Sequence, residues 1–183
     1  MNQVAVVHYL GATARSLSVV ASVVADLVNT GNDVAVLDLE PTTTIRQGFP
    51  PATLANLFGH SVKPTAFTDV LRSLGATYQR LPVIDDKGAV PAEHAEPLKV
   101  AIESELLTYF RLDHIPSSRE AGDLQASLEV NAVRTYRSLK ALWSAKTPDE
   151  VLVPNGRTSR QKAARLVAES LSIPVRLYEN GRA

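Results

Sequence analysis

The 183-residue sequence has no cysteine, one methionine, one tryptophan and no net charge. Without cysteine the chain has no disulfide, no thiolate nucleophile and no zinc site with sulfur ligands. Its 19 basic residues balance 19 acidic residues, so nucleic acid is not an expected partner. Glycine-rich phosphate loops are also missing, because Gly11 is isolated and belongs to neither a dinucleotide-binding nor a P-loop pattern.

Long apolar runs are missing as well. The apolar stretch over 16–28 is interrupted by Ser18, Ser22 and Asp26, and it is too short and too polar to span a bilayer. Neither a basic flank nor a cleavage pattern indicates a signal peptide. We therefore expect a cytoplasmic protein and leave peripheral membrane contact open. The four histidines show no ligand spacing, so no metal is expected.

Short apolar segments bounded by turn residues predict five strands. The first, Gln3–Leu10, is rich in valine, as is typical of a strand buried on both faces. Pro82 would shorten the third strand or place it at a sheet edge. The other strands are predicted at Asp33–Glu40, Thr77–Ile84, Glu150–Pro154 and Pro174–Tyr178.

Helical spacing of apolar residues separates these strands. Helices are predicted over 17–28, 50–58 and 67–74, with Gly31 and Gly75 as terminating residues. Two longer helices follow. One covers Glu96–Leu112 and places Leu98, Ile102, Leu106 and Tyr109 on one stripe. The other starts at a capping box formed by Ser117 and Glu120, and a second capping box, Thr158 and Gln161, precedes the last helix.

The alternation of strands and helices predicts an α/β fold. We expect one Rossmann-like domain over 1–183, with a doubly wound parallel sheet of about five strands and helices on both faces. For strand order 3-2-1-4-5, the order reverses between strands one and four, and ligands bind beyond the carboxyl ends of the strands at that point. The fifth strand brings Glu179 and Gly181 to the same edge.

The loops at this edge contain the candidate site residues. Gly11 follows the first strand, and His8 is a candidate base at its end. After the fourth strand, Gly156 permits close backbone approach, Arg157 suits carboxylate or phosphate, and Asn155 suits sugar hydroxyls. The next helix N-terminus would add unpaired N–H groups. Alternatively, Asn155-Gly156 is a plain turn, and His8 is simply hydrogen-bonded.

The segment Val151–Gly181 resembles bacterial capsular-polysaccharide-type glycosyltransferases of the GT-B architecture. In that family a strand ends in N-G-R, a helix follows, and an apolar turn leads into a strand ending in E-x-G. The matching residues here are Asn155, Gly156 and Arg157, then Ile173-Pro174-Val175, then Glu179 and Gly181. Ala101–Arg111 is similar to the helix that precedes this motif, and the resemblance covers about 80 residues.

The resemblance implies the acceptor-binding N-terminal half of a two-domain glycosyltransferase in surface or capsular polysaccharide biosynthesis. The partners would be a sugar or phosphorylated glycan acceptor and a C-terminal GT-B domain. That second domain, which this chain lacks, would bind the nucleotide-sugar donor, so no cofactor is expected here and no transfer by this chain alone. Asn155 and Arg157 would position the acceptor, Glu179 would orient Arg157, and His8 would accept the proton of the attacking hydroxyl.

Two other readings stay open. The chain could be a non-catalytic binding or oligomerisation module, with the long helix before Pro148 forming a homo-oligomer interface. A regulatory domain for a phosphorylated ligand would need a glycine-rich loop, which the sequence lacks.

From Asn155 onward the chain has six basic and two acidic residues. This excess indicates either a solvated helix face or an anion-binding end, and Glu179 could neutralise Arg157 or Arg160.

Overall fold

A parallel β-sheet of five strands forms the centre of the fold. The computed structural model describes residues 1–8, 14–39, 64–84, 88–155 and 158–178. The strand order is β3-β2-β1-β4-β5, and every neighbouring pair is parallel. The strands are β1 (Gln3–His8), β2 (Asp33–Asp38), β3 (Thr77–Arg80), β4 (Glu150–Pro154) and β5 (Val175–Tyr178). This confirms the predicted order, and β3 is short and lies at an edge, as Pro82 indicated.

Helices cover both faces of the sheet. They are α1 (Ala14–Asn29), α2 (Pro64–Ser73), α3 (Ala92–Phe110), α4 (Arg119–Ala145) and α5 (Ser159–Ser170). On one face, Val4 and Val6 of β1 pack with α1 and α2. On the other face, Ala5 and Val7 pack with α3, α4 and α5. Alternate residues of β1 therefore enter two separate cores, which explains its unbroken apolar sequence and confirms the doubly wound, Rossmann-like fold.

Several local signals define element ends as predicted. Gly31 and Gly75 follow α1 and α2 with φ of 84° and 87°, a conformation that glycine adopts without steric cost. After α1, the Gly31 N–H donates to the Val28 carbonyl at 2.9 Å. Thr158 and Gln161 form the predicted capping box of α5. These ends are determined by short-range hydrogen bonds and backbone sterics, so the sequence is sufficient to locate them.

Three predictions about the long helices were wrong. The N-cap of α4 is Ser118, whose hydroxyl accepts from the Ala121 N–H, so Ser117 and Glu120 form no capping box. Helix α3 begins at Ala92 and continues through Pro97, because only one backbone donor is lost at that position. Tyr109 is 38% exposed, since it lies in the last turn of α3, where its ring meets Phe110 edge-on. The helix predicted over 50–58 lies outside the described residues.

Candidate functional site

The crevice predicted from the strand order lies between the carboxyl ends of β1 and β4. The registered pairing of these strands ends at Val6 and Leu152. Beyond this pairing, the phenol of Tyr178 donates a hydrogen bond to the Val7 carbonyl at 3.0 Å. Tyr178 belongs to β5, so its side chain passes over β4 to reach β1. Burial of Tyr178 raises the pKa of its phenol, so this group stays protonated and donates. Tyr178 therefore closes the base of the crevice where the strands separate.

His8 occupies the end of β1 beside this crevice. It is 4% exposed, and its ring centroid lies 5.9 Å from that of Phe67 in α2. Burial lowers the pKa of His8 from 6.5 to about 4, so the imidazole is neutral at pH 7. Its Nε2 atom is buried and has no hydrogen-bond partner among the described residues. A neutral imidazole with an unpartnered nitrogen suits a ligand hydroxyl.

A buried carboxylate stands beside His8 on the next strand. Asp38 ends β2, is 1% exposed and is the register partner of His8. Its Oδ2 accepts from the Tyr78 phenol at 2.8 Å. Burial, together with the hydrogen bond to Asp38 and the charge of Asp38, raises the pKa of Tyr78 to about 12. His8, Asp38 and Tyr78 thus place an imidazole, a carboxylate and a phenol at the edge of adjacent strands.

A buried cation reaches the same edge from the opposite face of the sheet. Arg160, in the first turn of α5, is 8% exposed, and its Nη1 donates to the Leu39 carbonyl at 3.0 Å. Leu39 directly follows Asp38, so this hydrogen bond connects α5 to the end of β2 across the crevice. The ion pair predicted between Arg160 and Glu179 lies outside the described residues, because Glu179 does.

Two backbone donors at the N-terminus of α5, the N–H groups of Ser159 and Gln161, are hydrogen-bonded within the chain. Glu105 of α3 accepts from the Ser159 N–H at 2.8 Å and from the Ser159 hydroxyl at 2.7 Å. The Thr158 hydroxyl accepts from the Gln161 N–H at 3.3 Å. The prediction of unpaired donors was therefore wrong for these two N–H groups, because Glu105, 54 positions before Ser159, provides the negative charge that a helix N-terminus attracts.

Asn155 and His8 are the predicted site residues within the described ranges, and they lie at the same edge on adjacent strands. Asn155 has φ of 30°, a left-handed conformation that asparagine tolerates, and its N–H donates to the Tyr178 carbonyl at 2.9 Å. This geometry fits the tight turn that its sequence also indicated. The predicted residues outside the described ranges are Gly11, Gly156, Arg157, Glu179 and Gly181.

Sequence reasoning did not single out Asp38, Tyr78, Tyr178 or Glu105 as site residues. The sequence could have indicated Asp38, because a charged residue at the end of an apolar strand is unusual. Glu105 had none, since it contacts α5 only through the packing of α3 against it.

Two further observations concern metal-ligand clusters and membrane-spanning helices in the described part of the chain. No group of three or more histidine, aspartate or glutamate side chains in these ranges lies close enough to hold a metal ion. No helix within them is both long and apolar enough to cross a bilayer.

No protein-family model matches the sequence, and no curated protein matches it. Among solved structures, a CDPS from Fluoribacter dumoffii has a similar fold. It is 14% identical with a TM-score of 0.58, over 97% of this chain and 89% of that chain. The glycotransferase of kitacinnamycin is 16% identical with a TM-score of 0.47, over 98% of this chain and 30% of that one. The calicheamicin glycosyltransferase is 16% identical with a TM-score of 0.46, over 100% of this chain and 33% of that one. The chain therefore spans about a third of the length of these two proteins, and at these identities the likenesses concern the fold.

Proposed function

We propose that the chain is the acceptor-binding N-terminal domain of a GT-B-type glycosyltransferase acting in surface or capsular polysaccharide biosynthesis. The observation that carries this proposal is His8, a buried and neutral imidazole whose Nε2 has no partner among the described residues. It stands at the end of β1, where a doubly wound sheet binds its ligands. The N-G-R and E-x-G resemblance around β4 and β5 supports the same assignment.

In the proposed reaction the acceptor hydroxyl lies against Nε2 of His8. The hydroxyl oxygen forms a bond to the anomeric carbon of the donor sugar while the bond from that carbon to the nucleoside diphosphate breaks. The hydroxyl proton passes to Nε2. The donor would be held by a second domain, so the acceptor pocket is the part of the reaction that belongs to this chain. Asp38 pairs with His8 on the neighbouring strand, and its negative charge would stabilise the imidazolium cation that this proton transfer creates.

Binding of uncharged sugars by the chain tests the proposal. A panel of methyl glycosides is titrated while the backbone amide signals are followed by NMR, in the wild type and in His8→Leu. The matched control is His114→Leu, because the His114 side chain is 74% exposed and bonded to Asp113 at the surface. We expect at least one sugar to bind the wild type and the control equally, and to bind His8→Leu at least tenfold more weakly.

Two results would contradict the proposal. Equal affinity in His8→Leu would place the binding site away from the end of β1. Absence of binding by every sugar, together with a mass that rises with protein concentration, would favour the oligomerisation module instead.

A further inference from the structure

The Val7 carbonyl lies at the point where the pairing of β1 with β4 stops. The next carbonyl along the strand, that of His8, accepts from the Leu39 N–H at 2.7 Å and therefore points toward β2. Because carbonyl directions alternate along a strand, the Val7 carbonyl points the other way, toward β4. Val7 is completely buried, so its carbonyl needs a hydrogen-bond donor from within the protein.

The backbone of β4 cannot supply that donor. The N–H groups of Val151 and Asn155 both donate to carbonyls of β5, so the nitrogen of residue 154 faces β1. Extending the observed register of β1 and β4 by one residue makes this nitrogen the ladder partner of the Val7 carbonyl. Residue 154 is a proline, which has no N–H. Pro154 therefore ends the β1–β4 ladder and leaves the Val7 carbonyl without its backbone donor.

The phenol of Tyr178 takes the place of the missing donor. It donates to the Val7 carbonyl at 3.0 Å. Tyr178 is the register partner of Pro154 on β5, so the residue that carries the replacement donor lies directly beside the residue that lacks one. Burial raises the pKa of the Tyr178 phenol, which keeps its proton available for this hydrogen bond.

This hydrogen bond acts on the peptide group that precedes His8. The Val7 carbonyl and the His8 N–H belong to one planar unit, so holding the carbonyl also holds the backbone nitrogen of His8. Toward β2, the pairing of β1 continues to His8 and Asp38. Toward β4 the registered pairing has already ended, and Tyr178 supplies a hydrogen bond beyond that point. The direction of the His8 side chain therefore depends on Tyr178 as well as on β2.

We propose that Tyr178 is a positioning residue for His8: its phenol replaces the donor that Pro154 lacks and so directs the imidazole toward the bound hydroxyl. This inference rests on the proposed function, because the hydroxyl at Nε2 gives the orientation of His8 its role in binding. The effect is indirect, since the phenol proton is used by the Val7 carbonyl. Loss of the phenol should therefore weaken sugar binding through His8.

Tyr178→Phe tests the proposal because it removes the hydroxyl and keeps the ring. Tyr109→Phe is the matched control, since Tyr109 is 38% exposed and lies on α3. The methyl glycosides of the binding test are titrated against each protein while the backbone amides are followed by NMR. We expect Tyr178→Phe to bind them at least about fivefold more weakly than the wild type, and the control to bind them equally. Equal affinity in Tyr178→Phe would overturn the proposal.

Replacing Pro154 by alanine separates positioning from direct contact with the sugar. Alanine has a backbone N–H, and at this position it faces the Val7 carbonyl. The double variant Tyr178→Phe/Pro154→Ala should therefore regain the wild-type affinity to within about twofold. Pro174→Ala, at an exposed residue before β5, should give no rescue. A double variant as weak as Tyr178→Phe would mean that the phenol acts by another route, and it would overturn the positioning role.

The contact between His8 and Phe67 provides a measurement that needs no sugar. Their ring centroids are 5.9 Å apart, so a nuclear Overhauser effect between the ring protons reports the orientation of His8. We expect this signal in the wild type, a weaker one in Tyr178→Phe and recovery in the double variant. The unfolding equilibrium constant should rise about tenfold in Tyr178→Phe, and less than about threefold when the same change is made in Pro154→Ala.

The outcomes distinguish this inference from the proposed function. An unchanged ring signal in Tyr178→Phe would overturn the inference and leave the sugar site intact. If no methyl glycoside binds any of the proteins, the proposed function fails, and the ring signal still decides whether Tyr178 positions His8. If Pro154→Ala does not fold, the affinity and the ring signal of Tyr178→Phe decide the question.

Discussion

Replacing His8 by leucine should remove a large part of the acid sensitivity of folding. In the folded protein burial lowers the pKa of His8 to about 4, whereas in the unfolded chain the imidazole keeps its ordinary value near 6.5. Between these two values the unfolded chain binds a proton that the folded protein does not. The free energy of unfolding must therefore fall as the pH falls through this range.

The magnitude follows from the two pKa values. The loss approaches about 1.4 kcal/mol for each pH unit between 6.5 and 4, and it reaches about 3 kcal/mol below pH 4. At pH 4.5 the wild type should have lost about 2.5 kcal/mol relative to pH 7.5 through His8. Above about pH 7.5 both states hold a neutral imidazole, so His8 adds almost no pH dependence there.

Urea unfolding of the wild type and His8→Leu at four pH values between 4.5 and 7.5 provides the assay. The difference between the two free energies at each pH isolates His8, because the other titrating groups are common to both proteins. His114→Leu, which removes an exposed imidazole, should keep the wild-type slope. Parallel curves for the wild type and His8→Leu would refute the reasoning, since the burial of His8 would then carry no protonation cost.

Three further substitutions test the packing and the corrected helix start. Trp143 is 2% exposed, so Trp143→Ala should lower the free energy of unfolding by about 3–5 kcal/mol. Circular dichroism is the appropriate probe because this is the one tryptophan in the sequence, and a loss below about 1 kcal/mol would contradict the packing. Ser118→Ala should cost about 1 kcal/mol through loss of the α4 cap, and Ser117→Ala much less. A larger effect at Ser117 would restore the capping box that the sequence suggested.

Elements with strong local signals were predictable from the sequence. Strand β4 was predicted with its observed bounds, Glu150–Pro154, because an apolar run between turn residues defines it. The capping box of α5 was predictable because both of its hydrogen bonds join Thr158 and Gln161, which are three positions apart in the sequence. The start of α4 was predicted one residue too early, because adjacent serines can both cap a helix and the position of the first turn selects between them.

The candidate site was predictable in location and only partly in content. The alternation of strands and helices predicted a parallel sheet, and the reversal between β1 and β4 followed from assuming the common order 3-2-1-4-5, which the structure has. His8 was identified because it ends the first strand. That His8 is buried and neutral could not be predicted, since its environment includes Phe67 on a helix far along the chain.

The sequence by itself determined the fold class, the number of strands, the bounds of β4 and the capping box of α5. Each of these depends on periodicity or on groups a few residues apart. Only the tertiary structure decided which polar groups meet at the carboxyl edge of the sheet. Glu105 reaches Ser159, and Tyr178 reaches Val7, through the packing of different elements. Periodicity identifies the face that a residue occupies, and the partner on that face depends on how separate elements pack together.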